Sequence, residues 1–159
     1  MKGADFIDTN IIVYAYDNHF PDKQQRAREI IISAVRSGNG VLSTQVLGEF
    51  FTVVTRKINK PLSVRNARSI IKYMGNMRVQ EIDSLIVERA LDTLEQYKIS
   101  YWDSLIIAAA ERAQCKRILS EDLNAGQKYH GIEIINPFQS FGSSPDEIKA
   151  YIDEERKER

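Results

Sequence analysis

The chain has 159 residues, 43% of them hydrophobic, and its 22 basic residues are balanced by 22 acidic ones. This length suits one domain with its own core, and the zero net charge gives no sign of a nucleic-acid partner. A single cysteine rules out an internal disulfide, and the two histidines have no Cys or His at zinc-ligand spacing. No signal segment or membrane span is evident, so we expect a cytoplasmic protein.

Short apolar runs alternate along the chain with longer segments of helical periodicity. In chain order, we predict a strand at 4–8, helices at 11–16 and 22–36, a strand at 41–43, a helix at 45–58, a helix capped by Ser63, a strand at 79–82, helices at 84–97 and 101–114, strands at 117–120 and 132–135, and a charged helix at 146–159. This alternation predicts an α/β domain whose mostly parallel sheet has about five short strands.

Composition divides the chain near its end. We expect one domain over residues 1–141, followed by a linker and a charged helical extension over 142–159. Helical spacing also predicts which side of two helices is buried. The predicted buried sets are Val64, Ala67, Ile71 and Met74 on one helix, and Leu85, Ala90, Leu91 and Leu94 on the other.

Four acidic residues stand at positions where a parallel sheet places its ligands. Asp8 and Asp122 follow predicted strands, Glu49 lies early in the helix after the second strand, and Asp103 lies in the first turn of its helix. Ligands of parallel sheets bind outside the carboxyl ends of the strands. We therefore expect at least three of the four carboxylates to share one edge of the sheet.

Taken singly, each acid has a structural explanation. Asp8 could cap the next helix, and Glu49 could be a solvated partner of Arg56. Asp103 could form a capping box with the serine three residues before it, and Asp122 could lie in a polar turn. None of these explanations accounts for the common edge of the sheet.

Carboxylates that converge repel one another, so a fold that gathers them usually does so around a cation. A ligand set made only of oxygen suits Mg²⁺ or Mn²⁺, and phosphodiester hydrolysis is the natural chemistry of such a site. A metal-dependent phosphatase fits poorly, because it needs a second aspartate two residues after the first, where this chain has Asn10. A non-catalytic module that binds RNA or protein stays open as an alternative.

Five segments, in order, resemble the PIN-domain nucleases, particularly the VapC-like toxins of toxin–antitoxin systems. They are FIDTNIIVYAYD at 6–17, LSTQVLGEF at 42–50, ISYWDSLI at 99–106, LSEDLN at 119–124 and IINPF at 134–138. Each motif alone is weak, but their order and spacing are fairly specific and extend from about residue 4 to residue 138.

The resemblance implies a three-layer α/β/α domain that cuts RNA with Mg²⁺ or Mn²⁺. It implies that Asp8 and Asp103 are the chief metal ligands, with Asp122 also at the metal and Glu49 completing the catalytic cluster. Thr9 and Asn10 would support the geometry of Asp8. It further implies a homodimer that is silenced by a small antitoxin, whose tail enters the active-site groove. The final helix has no role in this resemblance.

A basic stretch indicates where RNA could bind. No acidic residue occurs between Glu49 and Glu81, and we predict RNA contacts from four basic residues of this stretch, namely Arg56, Arg65, Arg68 and Lys72. Three of them share one side of a helix, where a positive stripe would attract a phosphate backbone. The same stripe could instead be a solvated face, or could pair with an acidic partner protein.

Overall fold

A computed structural model describes residues 3–141 and 147–159. Within these ranges the chain forms six strands and seven α-helices. The strands are β1 (Ala4–Ile7), β2 (Gly40–Ser43), β3 (Arg78–Gln80), β4 (Cys115–Leu119), β5 (Lys128–Tyr129) and β6 (Ile132–Ile135). The helices are α1 (Thr9–Tyr14), α2 (Pro21–Ser37), α3 (Thr44–Arg56), α4 (Val64–Met74), α5 (Ser84–Tyr97), α6 (Tyr101–Arg112) and α7 (Glu147–Lys157).

The strands form one sheet in the order β3-β2-β1-β4-β6-β5. Every neighbouring pair in this order is parallel except β5 with β6, which is antiparallel. The predicted α/β class and mostly parallel sheet are confirmed. The sixth strand, β5, was missed because two residues are too few to show a periodicity.

Serine side chains cap the first turns of two helices, α3 and α6. Ser43 begins α3 by accepting a hydrogen bond from Val46 N at 3.2 Å. Ser100 begins α6 by accepting one from Asp103 N at 3.1 Å. Such caps satisfy backbone donors that the first helical turn leaves without a partner. Ser43 is also the last residue of β2, so α3 starts at the carboxyl end of that strand, and Gln45 Nε2 donates to Trp102 O at 3.1 Å, which ties the start of α6 to that of α3.

The predicted buried face of α5 was partly wrong. Leu85 and Leu91 are 61% and 48% exposed, whereas Ile86 and Ala90 are buried. Ile86 and Ala90 pack with Leu105 and other residues of α6 in a small second cluster of the core. The contact with α6 selects the stripe that begins at Ile86, one residue further along the helix than the predicted one.

Helix α7 packs on the main core. Its residues Ile148 and Ile152 are buried in the core cluster, and the helix contacts α1 and α3. The predicted linker at 142–145 lies outside the described residues. No helix in the described part of the chain is long and apolar enough to cross a membrane.

Candidate metal-binding active site

Asp8 lies where β1 meets α1. Its backbone N donates to Leu119 O at 3.0 Å, which ties the end of β1 to the end of β4. Its carboxylate Oδ1 accepts a hydrogen bond from Thr9 N at 2.7 Å, so Asp8 is indeed the cap of α1. The side chain is also 3% exposed, which is unusual for a residue that only caps a helix.

Asn10 and Ser120 join Asp8 to Asp122. The Asn10 amide nitrogen donates to Asp8 Oδ2 at 3.1 Å and to Asp122 Oδ2 at 3.2 Å. The Ser120 hydroxyl donates to Asp8 Oδ2 at 2.7 Å and accepts from Asp122 N at 3.1 Å. Asn10 Oδ1 accepts from Glu121 N at 3.0 Å. These bonds fix the turn after β4 against the start of α1.

The neighbouring acid Glu121 faces away from this group. Its carboxylate pairs with Lys23 and accepts a hydrogen bond from the Tyr14 hydroxyl. Lys23 and Tyr14 are both buried, so the pair anchors the turn that carries Asp122. The adjacent carboxylates at positions 121 and 122 therefore have different surroundings.

Glu49 projects from the second turn of α3 and is fully buried. Its Oε1 accepts a hydrogen bond from Thr9 Oγ1 at 2.7 Å. Its Oε2 accepts from Arg156 Nε and Arg159 Nη2, both at 2.7 Å. The alternative in which Glu49 is a solvated partner of Arg56 is wrong, because Glu49 is enclosed and its partners belong to the end of the chain.

Asp103 completes the group from α6. Its Oδ1 accepts from Arg156 Nη1 at 2.9 Å, so one guanidinium joins Asp103 to Glu49. The helix cap here is the Ser100 hydroxyl, which leaves the Asp103 carboxylate available for the site. The structure thus brings together Asp8, Glu49, Asp103 and Asp122, which we call the acidic cluster.

Burial and repulsion between carboxylates raise the pKa values of two residues of the cluster. The pKa of Asp8 is raised to about 6, chiefly by burial; Arg156 and the bond from Ser120 oppose the shift, and the carboxylates of Asp103 and Glu49 add to it. Burial, followed by repulsion from Asp8, raises the pKa of Asp122 to about 8. Carboxylates kept near one another in this way bind a cation to relieve the repulsion.

Arg156 is the cation that the structure places in the cluster. Its side chain is 10% exposed. Burial opposes its charge, but its bond to Glu49 and the charges of Asp8 and Asp103 hold its pKa above the ordinary arginine value. A guanidinium with two carboxylate partners is a strong charge-assisted arrangement.

The donor chemistry of the cluster fits a hard divalent ion. Carboxylate oxygens are the ligands that Mg²⁺ and Mn²⁺ prefer, and a buried amide oxygen, Gln45 Oε1, has no hydrogen-bond partner among the described residues. The Gln45 amide nitrogen lies 3.5 Å from Glu49 Oε2, so this amide is close to the cluster. Within the described ranges, however, no three acidic, His or Cys side chains are arranged to hold a metal. Two of its carboxylates, Glu49 and Asp103, are instead paired with arginine.

Sequence reasoning missed Arg156, Arg159 and Ser120. Ser120 had a usable signal, since it follows β4 directly and precedes Asp122 by two residues. The two arginines had none, because they lie about a hundred residues from Glu49 and only docking of α7 brings them close.

The predicted RNA-contacting residues lie on two helices. Arg65, Arg68 and Lys72 are exposed on α4, and they form no ion pair with any described acidic residue. Arg56, at the end of α3, is exposed and lies 3.6 Å from Glu158 Oε2. Three of the four are therefore free for an anionic ligand, and the fourth is engaged by the end of the chain.

Comparison with known proteins gives a family and a fold. The family model described as PIN domain matches residues 6–130. None of the curated protein sequences matches the chain.

Several solved structures share the fold at low sequence identity. VapC20 of Mycobacterium tuberculosis, described as a sarcin-ricin loop cleaving toxin, is 18% identical with a TM-score of 0.59, over 75% of this chain and 90% of that one. A toxin–antitoxin complex from Klebsiella pneumoniae is 15% identical with a TM-score of 0.61, over 84% and 98%. VapBC2 from Rickettsia felis, bound to a promoter DNA fragment, is 16% identical with a TM-score of 0.60, also over 84% and 98%.

Proposed function

This chain belongs to the PIN domain family, and on that premise we propose that it is a metal-dependent endoribonuclease and the toxin of a toxin–antitoxin pair. The observation that carries the proposal is the acidic cluster at the carboxyl edge of the sheet. Four carboxylates from separate parts of the chain meet there, and two of them have pKa values raised by burial and repulsion. A protein with a purely structural role gains nothing from such a costly arrangement.

Asp8, Asp103 and Asp122 would hold the ion, Mg²⁺ or Mn²⁺, and Glu49 would complete the cluster. When bound, the ion supplies Lewis-acid polarisation of the phosphodiester and a water of lowered pKa. Asn10 and Ser120 would keep the Asp8 and Asp122 carboxylates in place through the bonds described above. Thr9 would do the same for Glu49.

A carboxylate is the proton acceptor that this site offers. His19 pairs with Glu147 at 3.5 Å, and His130 contacts Thr93 and Arg89, so neither histidine contacts the acidic cluster within the described residues. We therefore assign the proton of the attacking water to a carboxylate of the cluster.

RNA is the proposed substrate. The exposed basic residues of α4, Arg65, Arg68 and Lys72, offer a positive face for a phosphate backbone. One structural relative, VapC20, is described as a toxin that cleaves the sarcin-ricin loop, which is an RNA target. We propose the same substrate class here, without assigning a particular RNA.

A small antitoxin and a second copy of the chain are the proposed partners, in the cytoplasm. The support is that relatives with this fold were solved in toxin–antitoxin complexes. An antitoxin encoded by a short gene beside this one should co-purify with the chain when the two are co-expressed, and expression of this chain alone should arrest bacterial growth. RNA cleavage without growth arrest would instead favour a PIN nuclease of RNA processing.

Cleavage of a mixed RNA by the purified full chain tests the activity. We expect fragments with millimolar Mg²⁺ or Mn²⁺ and none in excess chelator, with activity restored when the ion is added back. Cleavage that persists in chelator, or RNA that stays intact with both ions, would contradict the proposal.

A further inference from the structure

Helix α7 and the two residues that follow it lie against the acidic cluster, and they bring Arg156 and Arg159 to it. Arg156 bonds to Glu49 and Asp103, the carboxylates that α3 and α6 contribute. Arg159 adds a second bond to Glu49 at 2.7 Å, and its guanidinium stacks over the Trp102 ring at 4.1 Å from the centroid. Trp offers the best ring face for a cation–π contact, and the Arg159 side chain is 27% exposed.

Glu154 of α7 and Glu158, which follows the helix, pair with basic residues at the end of α3. Lys57 Nζ lies 2.9 Å from Glu154 Oε1 and 2.7 Å from Glu158 Oε1. Arg56 lies 3.6 Å from the other Glu158 oxygen. Arg56 is one of the residues predicted to contact RNA phosphate. The Glu158 carboxylate therefore occupies the position that a phosphate oxygen would take beside Arg56.

Apolar contacts hold the helix in this position. Ile148 and Ile152 are buried in the main core cluster, on the side of α7 that faces α1 and α3. The helix is therefore not attached by surface ion pairs alone, which would contribute little. The family match ends at residue 130, so α7 lies beyond the part of the chain that the family model describes.

We propose that α7 is an inhibitory arm of the same chain, whose arginines compete with the divalent ion for the carboxylates of the acidic cluster. This inference rests on the proposed metal-dependent nuclease. The Arg156 guanidinium and a divalent ion repel each other, and Arg156 holds Asp103 Oδ1, an oxygen of a proposed ion ligand, while it offsets the negative charge of Glu49. The glutamates of the arm also occupy Lys57 and Arg56, so docking closes the ion site and part of the RNA path together.

The fraction of time that the arm is docked sets how far it lowers the apparent affinity for the ion. If the arm is docked nine-tenths of the time, the apparent affinity for the ion falls about tenfold below that of the open cluster. Displacement of the arm by a partner protein or by bound RNA would then raise the ion affinity by the same factor, because the linkage is reciprocal.

Mn²⁺ titration of the full chain, followed by the EPR signal of the free ion, tests the arm directly. We expect Arg156→Gln, and the double variant Arg156→Gln with Arg159→Gln, to bind Mn²⁺ about tenfold more tightly than the wild type. Lys157→Gln is the matched control, since it removes the same charge from an exposed neighbour in the same turn. Its affinity should equal that of the wild type.

A second variant keeps both arginines and removes the docking. Ile152→Asn places a polar amide in the buried contact of α7, so the arm should leave while its charges stay the same. We expect this variant to gain Mn²⁺ affinity as well, with circular dichroism showing that the domain remains folded. If loss of Arg156 unfolds the domain, the Ile152 variant still tests whether the docked arm lowers the affinity for Mn²⁺.

The outcomes separate this inference from the proposed function. If the wild type, the arginine variants and the Ile152 variant bind Mn²⁺ equally well, the proposal that α7 is an inhibitory arm is overturned, even if all of them cleave RNA. Higher Mn²⁺ affinity in those variants supports the arm. If no variant then cleaves RNA, the nuclease proposal fails while the competition for the ion stands. If Lys157→Gln gains as much Mn²⁺ affinity as the arginine variants, the gain comes from removing any positive charge, and the proposal of an inhibitory arm is overturned.

Discussion

At the scale of single residues, Ser120 is the centre of the hydrogen bonds that organise the site. Its hydroxyl donates to Asp8 and accepts from the backbone nitrogens of Asp122 and Leu123, at 3.1 and 3.2 Å. Its hydroxyl also lies 3.3 Å from the Asn10 amide nitrogen. One small side chain thus links β4, the following turn and the start of α1.

Replacement of Ser120 by alanine should destabilise the protein. The change removes one of the two donors to Asp8 Oδ2 and takes the acceptor from two backbone nitrogens, which costs roughly 1–3 kcal/mol. Urea denaturation measures the free energy of unfolding. Ser69→Ala is the control, since the exposed Ser69 hydroxyl bonds only to Arg65 O within its own helix. Equal stability of the two variants would contradict the role given to Ser120.

Asp122 should make the protein less stable as the pH rises. Its pKa is raised from 3.8 to about 8 in the folded chain, so the folded state holds this proton more tightly than the unfolded state does. Stability from this group is therefore full below the unfolded pKa and is lost as the pH rises towards the folded pKa.

Asp122→Asn removes this loss. In chelator, the melting temperature of the variant should exceed that of the wild type by a margin that grows between about pH 5 and about pH 9. Differential scanning calorimetry at both pH values makes the comparison. A margin that stays constant over this interval would show that the Asp122 proton is not linked to folding.

At the scale of elements, the periodicity of the sequence predicted where the helices lie. It predicted less well which face of each helix is buried. The segment at 84–97 was predicted with its observed ends, yet Leu85 and Leu91 point outward. Helical spacing gives two overlapping apolar stripes here, and only the position of α6 decides between them. The two-residue strand β5 could not be predicted, because it exists through pairing with β6 alone.

Substitutions on α5 should report this orientation. Ile86→Ala should cost about 2–4 kcal/mol of unfolding free energy, because it leaves a cavity in the contact with α6. Leu91→Ala should stay within about 0.5 kcal/mol of the wild type, as expected for an exposed side chain. Chemical denaturation of both variants makes the test, and a reversed order would contradict the observed packing.

At the scale of the whole molecule, the sheet gathers acids that are far apart in sequence. Positions 8, 49 and 122 could be assigned to one edge from strand order alone, since parallel strands end on the same side. The arginine partners could not, because no local pattern says where a C-terminal helix docks. The sequence also showed four candidate acids without revealing that two of them, Glu49 and Asp103, share one guanidinium.

The basic face of α4 should bind RNA through phosphates. Arg65→Ala combined with Arg68→Ala should weaken RNA binding and lower the slope of log affinity against log salt by about 1.4 for two lost contacts with a single strand. Fluorescence anisotropy with a labelled RNA across a salt series measures both. An unchanged slope would favour the alternative in which this face is merely solvated.

The most direct test of the account is RNA cleavage by carboxylate variants in a chain that lacks the Arg156 guanidinium. In the Arg156→Gln background with Mn²⁺, we predict that Asp8→Asn and Asp103→Asn each reduce cleavage about a hundredfold or more, since each removes a proposed ligand. Asp92→Asn, an exposed acid on α5, should cleave like its parent. Full activity in both Asp8→Asn and Asp103→Asn would contradict the claim that the acidic cluster is a metal-dependent active site.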